Sequence, residues 1–242
     1  MPVHGRGLHI ATIVPTCKSG GRRKGCRAND SISGDIMKTA KAFWDGAAAR
    51  YSKSAIADMA SYEKKLELTR GYFTPESEVL EIGCGTGSTA LLHAPYVKHI
   101  RATDISENML TIAREKAEAA GISNVTFECA SVDELNVPDG SLDIALALSI
   151  LHLLPNRREV ISRIYRMLKP GGYLVTSTVC LSDGYGFLKL ILPFMQWIGK
   201  APYVDFITAR ELEDEFTAAG FRVAENWRPG PKKAVFMVLK KP

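Results

Sequence analysis

The stretch Val79-Leu-Glu-Ile-Gly-Cys-Gly-Thr-Gly-Ser88 sets three alternating glycines directly after an apolar strand and before a helix. Such a turn lets a ligand approach bare backbone, where free helix amides and the helix dipole attract anionic or hydroxyl-rich groups. Gly83, Gly85 and Gly87 are therefore expected to cradle a nucleotide-type ligand, although the same glycines would also serve a tight turn with no ligand. About 17 residues past Gly87, Asp104 follows a second strand, where a carboxylate accepts hydrogen bonds from both hydroxyls of a ribose. Its alternative task is to cap the next helix, which Ser106 can also do. Glu81 is an ionisable side chain inside a buried strand, costly unless something pairs with it. A neighbouring amide or basic side chain is the plain partner. After the fourth strand, Leu146-Ala-Leu-Ser-Ile-Leu-His152 brings His152 to the end of the sheet, where a neutral imidazole can take up a proton near pH 7. The plain alternative is a histidine that hydrogen-bonds its own loop.

These residues need a scaffold, and the periodicity supplies one. Strand patterns over 78–82, 99–103, 124–128, 142–147 and 172–177 alternate with helical patterns over 87–94, 107–119 and 157–168. Strand and helix in alternation predict a mainly parallel sheet covered on both faces. Lys169-Pro-Gly-Gly172 reads as a helix stop, and Thr208-Ala-Arg-Glu211 as a capping box opening a helix that ends at Gly220. Two last strands, near 221–226 and 234–239, are joined by a turn through Arg228-Pro-Gly-Pro231 and predict an antiparallel edge. The fold expected is α/β, a Rossmann-like doubly wound seven-stranded sheet with an antiparallel edge strand. Two helices, from Lys38 and from about Ala55 to Arg70, precede it.

Leu80-Glu-Ile-Gly-Cys-Gly-Thr-Gly87, Asp104-Ile-Ser106 and Lys169-Pro-Gly-Gly172, in that order, resemble the class I S-adenosylmethionine-dependent methyltransferases. Within that superfamily the chain is similar to the small-molecule branch that holds the ubiquinone and menaquinone C-methyltransferases, over about residues 38–240. The resemblance implies S-adenosylmethionine as methyl donor. It implies that Glu81 meets the ammonium of the donor's methionine part and that Ile105 and Val132 flank the adenine, although either could be a plain core residue. Ser131 stands where many relatives carry an aspartate that accepts from the adenine amino group, a weaker acceptor in this chain. Tyr51, with Trp44, resembles the amino-terminal helix that closes over the donor, though aromatic stripes on helices are often core. The acidic or amide residue followed by Pro-Pro-aromatic that holds a flipped base is missing, as is a Pro-Cys nucleophile, which argues against nucleobase methylation.

Composition narrows the rest. The formal net charge is +5. Before Met37 stand six basic and two acidic residues, leaving 25 basic and 24 acidic in the remainder. A near-neutral body argues against a nucleic-acid face. Residues 1–36 lack apolar periodicity and are expected to be a disordered leader, with one domain over 37–242. The five cysteines are odd in number and widely spaced, with no metal-ligand pattern, so reduced thiols in a cytoplasmic protein are expected. The expected partner is a small-molecule acceptor.

The segment Gly184-Tyr-Gly-Phe-Leu-Lys-Leu-Ile-Leu-Pro-Phe-Met-Gln-Trp-Ile198 carries apolar residues at helical spacing, with Pro193 inside. Leaving strand five at its carboxyl end, it is expected to be a lid that selects an apolar or aromatic acceptor. Packing on the core and weak contact with a membrane surface are its alternatives. Two other functions stay open: a nicotinamide-dependent oxidoreductase, whose fingerprint is Gly-x-Gly-x-x-Gly rather than the Gly-x-Gly-x-Gly found here, and a non-catalytic S-adenosylmethionine-binding protein.

Overall fold

A computed structural model describes residues 27–242. Helix α1 (Arg27–Ser52) and helix α2 (Met59–Arg70) lead into β1 (Glu78–Ile82), α3 (Ser88–His93), β2 (His99–Asp104), α4 (Glu107–Ala119) and β3 (Val125–Cys129). The second half runs β4 (Leu142–Leu148), α5 (Arg157–Met167), β5 (Leu168–Thr178), α6 (Leu188–Trp197), α7 (Ala209–Ala218), β6 (Arg222–Trp227) and β7 (Val235–Lys240). The strands lie in the order β3-β2-β1-β4-β5-β7-β6. The first five are parallel, and β7 runs antiparallel between β5 and β6. The expected antiparallel hairpin thus forms one edge of the sheet, with β6 outermost. This is a seven-stranded Rossmann-like sheet.

Strand alternation divides the core. Leu80, Ile82 and Leu174 face a layer that holds Val160, Ile164 and Phe216 of α5 and α7, whereas Val79, Ile144 and Val175 face Ala90 and Leu110 of α3 and α4. Burying each such aliphatic side chain contributes about 1.5–3 kcal/mol. β1 is covered on both faces, and its two neighbours, β2 and β4, lead away in opposite directions along the sheet. The strand order therefore reverses at the carboxyl ends of β1 and β4, the place where open α/β sheets bind ligands.

Capping sets several boundaries. Ser106 accepts from the Met109 amide to start α4, and Thr208 with Glu211 forms the capping box of α7. α2 starts at Met59, later than the expected 55, because the Asp58 carboxylate caps it by accepting from the Ser61 amide at 3.1 Å. Lys169-Pro-Gly-Gly172 ends α5 but belongs to β5, where Lys169 bonds the Asp143 carboxylate at 2.8 Å beside an irregularity in the β4 pairing. One expectation is corrected: helix α1 begins at Arg27, so residues 27–36 are helical rather than part of a disordered leader. Extending an existing helix adds one hydrogen bond per residue at small cost, even where the sequence lacks an apolar face. The leader's remaining residues, 1–26, lie outside the described residues.

The chain returning from α6 is anchored by charge. The Arg157 guanidinium bonds both Glu215 carboxylate oxygens (2.8 and 3.0 Å) and Asp205 (2.7 Å), with Arg157 and Glu215 nearly buried. A buried pair of this kind is costly to break from one side, because the remaining charge is left in a poor solvent. Arg157→Ala is therefore expected to lower stability by about 3–5 kcal/mol in urea denaturation. Arg157→Met combined with Glu215→Leu should recover most of that loss, and a single-variant loss below about 1 kcal/mol would show the network to be idle.

Candidate active site

A cleft of about 860 Å³, including its open mouth, lies at the strand-order reversal. Its floor is Gly83 and Gly85 of the turn after β1. One wall is Asp104 and Ile105 after β2, with Ser131 and Val132 after β3. The other is Leu148, Ser149 and Ile150 after β4. Trp44 and Tyr51 of α1 form the roof. Seven expected site residues thus meet in one cavity: Tyr51, Gly83, Gly85, Asp104, Ile105, Ser131 and Val132.

The turn owes its shape to two glycines. Gly83 has φ +65°, and a Cβ there would stand 2.8 Å from the Ile150 side chain. Gly87, at φ +71°, would drive a Cβ to 2.8 Å from Ala113 and 2.9 Å from Phe127. Gly87 therefore serves the close packing of α3's amino end on α4 and β3, and it does not line the cleft. This corrects its expected ligand contact: the third glycine acts on packing.

Asp104 ties the turn to the end of β2. One oxygen accepts from the Gly85 amide and the other from the Ser106 amide, each at 2.9 Å. A carboxylate has about four acceptor sites, so lone pairs remain for a ligand. Burial pushes the Asp104 carboxyl above its ordinary range in spite of those donors.

Glu81 lies behind the cleft rather than in its wall. It is 2% exposed, and its Oε2 has no hydrogen-bond partner. Burial, then the nearby Asp104 carboxylate, pushes its carboxyl up to about 8. The alternative of a neighbouring amide or basic side chain satisfying this oxygen is not met among the described residues. Among the described residues no lysine, arginine or histidine lines the cleft, and Asp104 is the one carboxylate that does. The site's field is therefore negative and its surface mostly apolar.

The roof is fastened by α1. Asp45 accepts from the Ser106 hydroxyl at 2.7 Å, and Lys41 donates to the Ile105 carbonyl at 3.1 Å. Trp44 and Tyr51 meet edge to face, with ring centroids 6.2 Å apart. Tyr51 is half exposed, which sets aside the core reading for it. Val132 is buried and belongs to the core as well as to the cleft. The Ser131 hydroxyl meets the Asp133 amide and carboxylate at 3.4 and 3.5 Å, long contacts that leave it open to a better partner.

His152 is another expected residue that does not line the cleft. Ile150, Leu153 and Leu154 line the cleft but His152 does not, because side chains in a 3-10 turn fan out by about 120° per residue. Burial and the Arg157 charge hold its imidazole down at about 4, so it is neutral at pH 7 and a feeble base.

Two polar features escaped the sequence. Ser149 adopts φ +63°, a strained conformation for serine, while its amide donates to the Ser177 carbonyl at 2.7 Å. Lys65 of α2 donates to the Ser177 hydroxyl at 2.8 Å, its amine pushed below the usual range by burial. Neither has a local signature, since each depends on contacts between elements far apart in sequence.

Residues 80–176 match the family model described as a methyltransferase domain. Over this stretch the chain resembles a methyltransferase domain. It is 36% identical over 101 residues to the demethylmenaquinone methyltransferase of Listeria welshimeri, covering 40% of this chain and 43% of that one. It is 27% identical over 191 residues to a highly reducing polyketide synthase of Purpureocillium lilacinum, covering 71% of this chain and 7% of that one. The chain thus spans less than half the length of these relatives. In structure it is similar to an S-adenosylmethionine-dependent methyltransferase of Mesorhizobium loti, with TM-score 0.59, 20% identity, and coverage of 73% of this chain and 96% of that one.

The buried Glu81 carboxyl gives a pH-dependent expectation. Below about 4.5 Glu81 is protonated whether the chain is folded or unfolded, and it costs nothing. Between about 4.5 and 8 the unfolded chain releases a proton that the folded protein holds, so stability falls by up to about 1.4 kcal/mol per pH unit. Thermal melts of Glu81→Gln should match the parent at pH 4 and exceed it increasingly up to pH 8; a constant difference across that range would place the carboxyl in a different environment.

Proposed function

We propose that the chain is an S-adenosylmethionine-dependent methyltransferase acting on a small apolar or aromatic acceptor of quinone-precursor, lipid or secondary-metabolite type. The observation that carries this reading is charge. A buried carboxyl without a partner, Glu81, and the part-buried Asp104 carboxylate stand at a cleft that no basic side chain of the described residues lines. A ligand with positive charge and no phosphate suits that field, whereas a dinucleotide's pyrophosphate would meet the Asp104 carboxylate with like charge. The Gly-x-Gly-x-Gly spacing favours the same choice over a nicotinamide enzyme.

In this reading Asp104 holds the ribose hydroxyls, Ile105 and Val132 flank the adenine, and Ser131 accepts from its amino group. Gly83 and Gly85 allow close backbone approach, Glu81 balances the methionine ammonium, and Tyr51 closes the roof. The donor supplies an electrophilic methyl group on a sulfonium. The chain's remaining task is alignment and exclusion of water, which can contribute several kcal/mol without covalent help. Leu148, Ile150, Leu153 and Leu154 give an apolar wall for the acceptor. With His152 turned away, an acceptor that is already nucleophilic or readily ionised fits best, such as an activated carbon beside carbonyl groups or a phenol. The resemblance to a demethylmenaquinone enzyme and to a polyketide synthase supports that class. Cys84, Cys129 and Cys180 are unpaired, which supports a reducing compartment such as the cytoplasm. No helix among the described residues is long and apolar enough to cross a membrane.

Titration calorimetry tests the assignment. S-adenosylmethionine or its demethylated product should bind, and Asp104→Ala should weaken binding by about 1.5–3 kcal/mol, the range for hydrogen bonds to a charged group. Unchanged affinity, or preference for a nicotinamide dinucleotide, would overturn it. Binding with no labelled methyl transferred to any extracted metabolite would instead favour a non-catalytic binding protein.

A further inference from the structure

Helix α6 turns its apolar stripe away from the protein. Phe187, Leu190, Ile191, Phe194, Trp197 and Ile198 recur at helical spacing, and their exposures run from 41 to 86%. No residue of α6 is buried, although Leu188, Leu192 and Met195 on its other side are partly covered. None of the six lines the cleft, so the stripe neither packs on the core nor closes the site in this conformation. A contiguous exposed patch of aromatic and aliphatic side chains marks a contact surface.

The charges around it have one sign. From Gly184 to Val204 there is no aspartate or glutamate, while Lys189 and Lys200 stand at the two ends of the stripe. The turn between β6 and β7 adds Lys232, whose backbone carbonyl accepts from the Tyr185 hydroxyl at 3.3 Å and whose amine lies 5.9 Å from that ring's centroid. The bordering carboxylates are engaged elsewhere: Asp183 with Arg228, Asp205 with Arg157, and Glu211 with the Thr208 cap.

We propose that α6 with its lysine rim docks in the interface of an anionic lipid bilayer. Aromatic and aliphatic side chains enter the acyl boundary to about 5–10 Å, while lysine amines extend to the headgroups. A ten-residue helix is far too short to span, so it lies in the surface. The rim argues against the other occupants. In a two-fold pair of antiparallel α6 helices the cationic ends would meet with no carboxylate between them. The first 26 residues carry five basic and no acidic side chains, the same sign as the rim. This docking stands on the surface alone and does not depend on methyl transfer. α6 follows the carboxyl end of β5, so the bound face would also bring the mouth of the cleft near the bilayer.

The test is co-sedimentation of the full chain with phosphatidylcholine vesicles with and without phosphatidylglycerol, at low and high salt. Binding should require the anionic lipid and weaken as salt screens it. Phe194→Ser with Trp197→Ser should lower vesicle affinity about tenfold or more with an unchanged melting temperature, since both side chains are exposed. The variant retains the basic leader, so its loss reports on α6. No sedimentation with anionic vesicles, equal binding by the variant, or a dimer in light scattering that the variant disperses would each overturn the proposal.

Discussion

A buried, partnerless Glu81 carboxyl near the part-buried Asp104, with no basic group among the described residues bonded to either, forms the constraint on which the site depends. Asp104 and Glu81 sit on neighbouring strands at the point where the strand order reverses, and burial together with the Asp104 carboxylate makes Glu81 hard to ionise. Burying charge without a partner is costly, and a fold keeps such an arrangement only where the surrounding structure holds it in place. Here the scaffold is a parallel sheet covered on both faces, and the Gly85 and Ser106 amides fix Asp104. The glycine turn, the capping of α4 and the aim of Asp104 are thus one unit, and Ser106 belongs to it twice, as helix cap and as amide donor.

The same serine links that unit to the roof. Its hydroxyl donates to Asp45, while Asp45 also accepts from the Asn108 amide at 3.3 Å, so α1 is held against the start of α4. Burial pushes the Asp45 carboxyl up, but the donors Ser106, Lys41 and Asn108 together hold it below its ordinary value, consistent with an ionised anchor. Tyr51 and Trp44 are positioned over the cleft by these few polar contacts rather than by deep packing. A roof fastened this way can open for exchange at modest cost. The far side of the cleft is built differently, from apolar strand ends of β4 and the strained Ser149, whose backbone is bonded to Ser177.

Much of this was legible in the residues. Period and punctuation placed the seven strands and the helices around them, and the spacing from the glycine turn to Asp104 located both sides of the cleft, because each depends on local sequence alone. The errors and omissions share another cause. Gly87 has the same sequence appearance as Gly83, yet its neighbours are Ala113 and Phe127 from distant elements, so only the packing reveals its task. His152 lies within two residues of cleft-lining positions, and a 3-10 turn that the sequence did not announce decides which way it faces. Lys65 meets Ser177 across 112 positions of chain. The stripe on α6 was visible as a stripe, but periodicity gives a helix its apolar face without saying whether that face looks inward or outward.

If the cleft accepts a cation because Glu81 awaits one, binding must move a proton. At pH 7 a carboxyl with a pKa of about 8 is mostly protonated, and an ammonium arriving beside it drives ionisation. Calorimetric titration of S-adenosylmethionine in buffers of different ionisation enthalpy counts that proton directly. About one proton released per molecule bound at pH 7, vanishing in Glu81→Gln, is the predicted result. Tight binding with no proton release, or the same release after Glu81→Gln, would contradict the account.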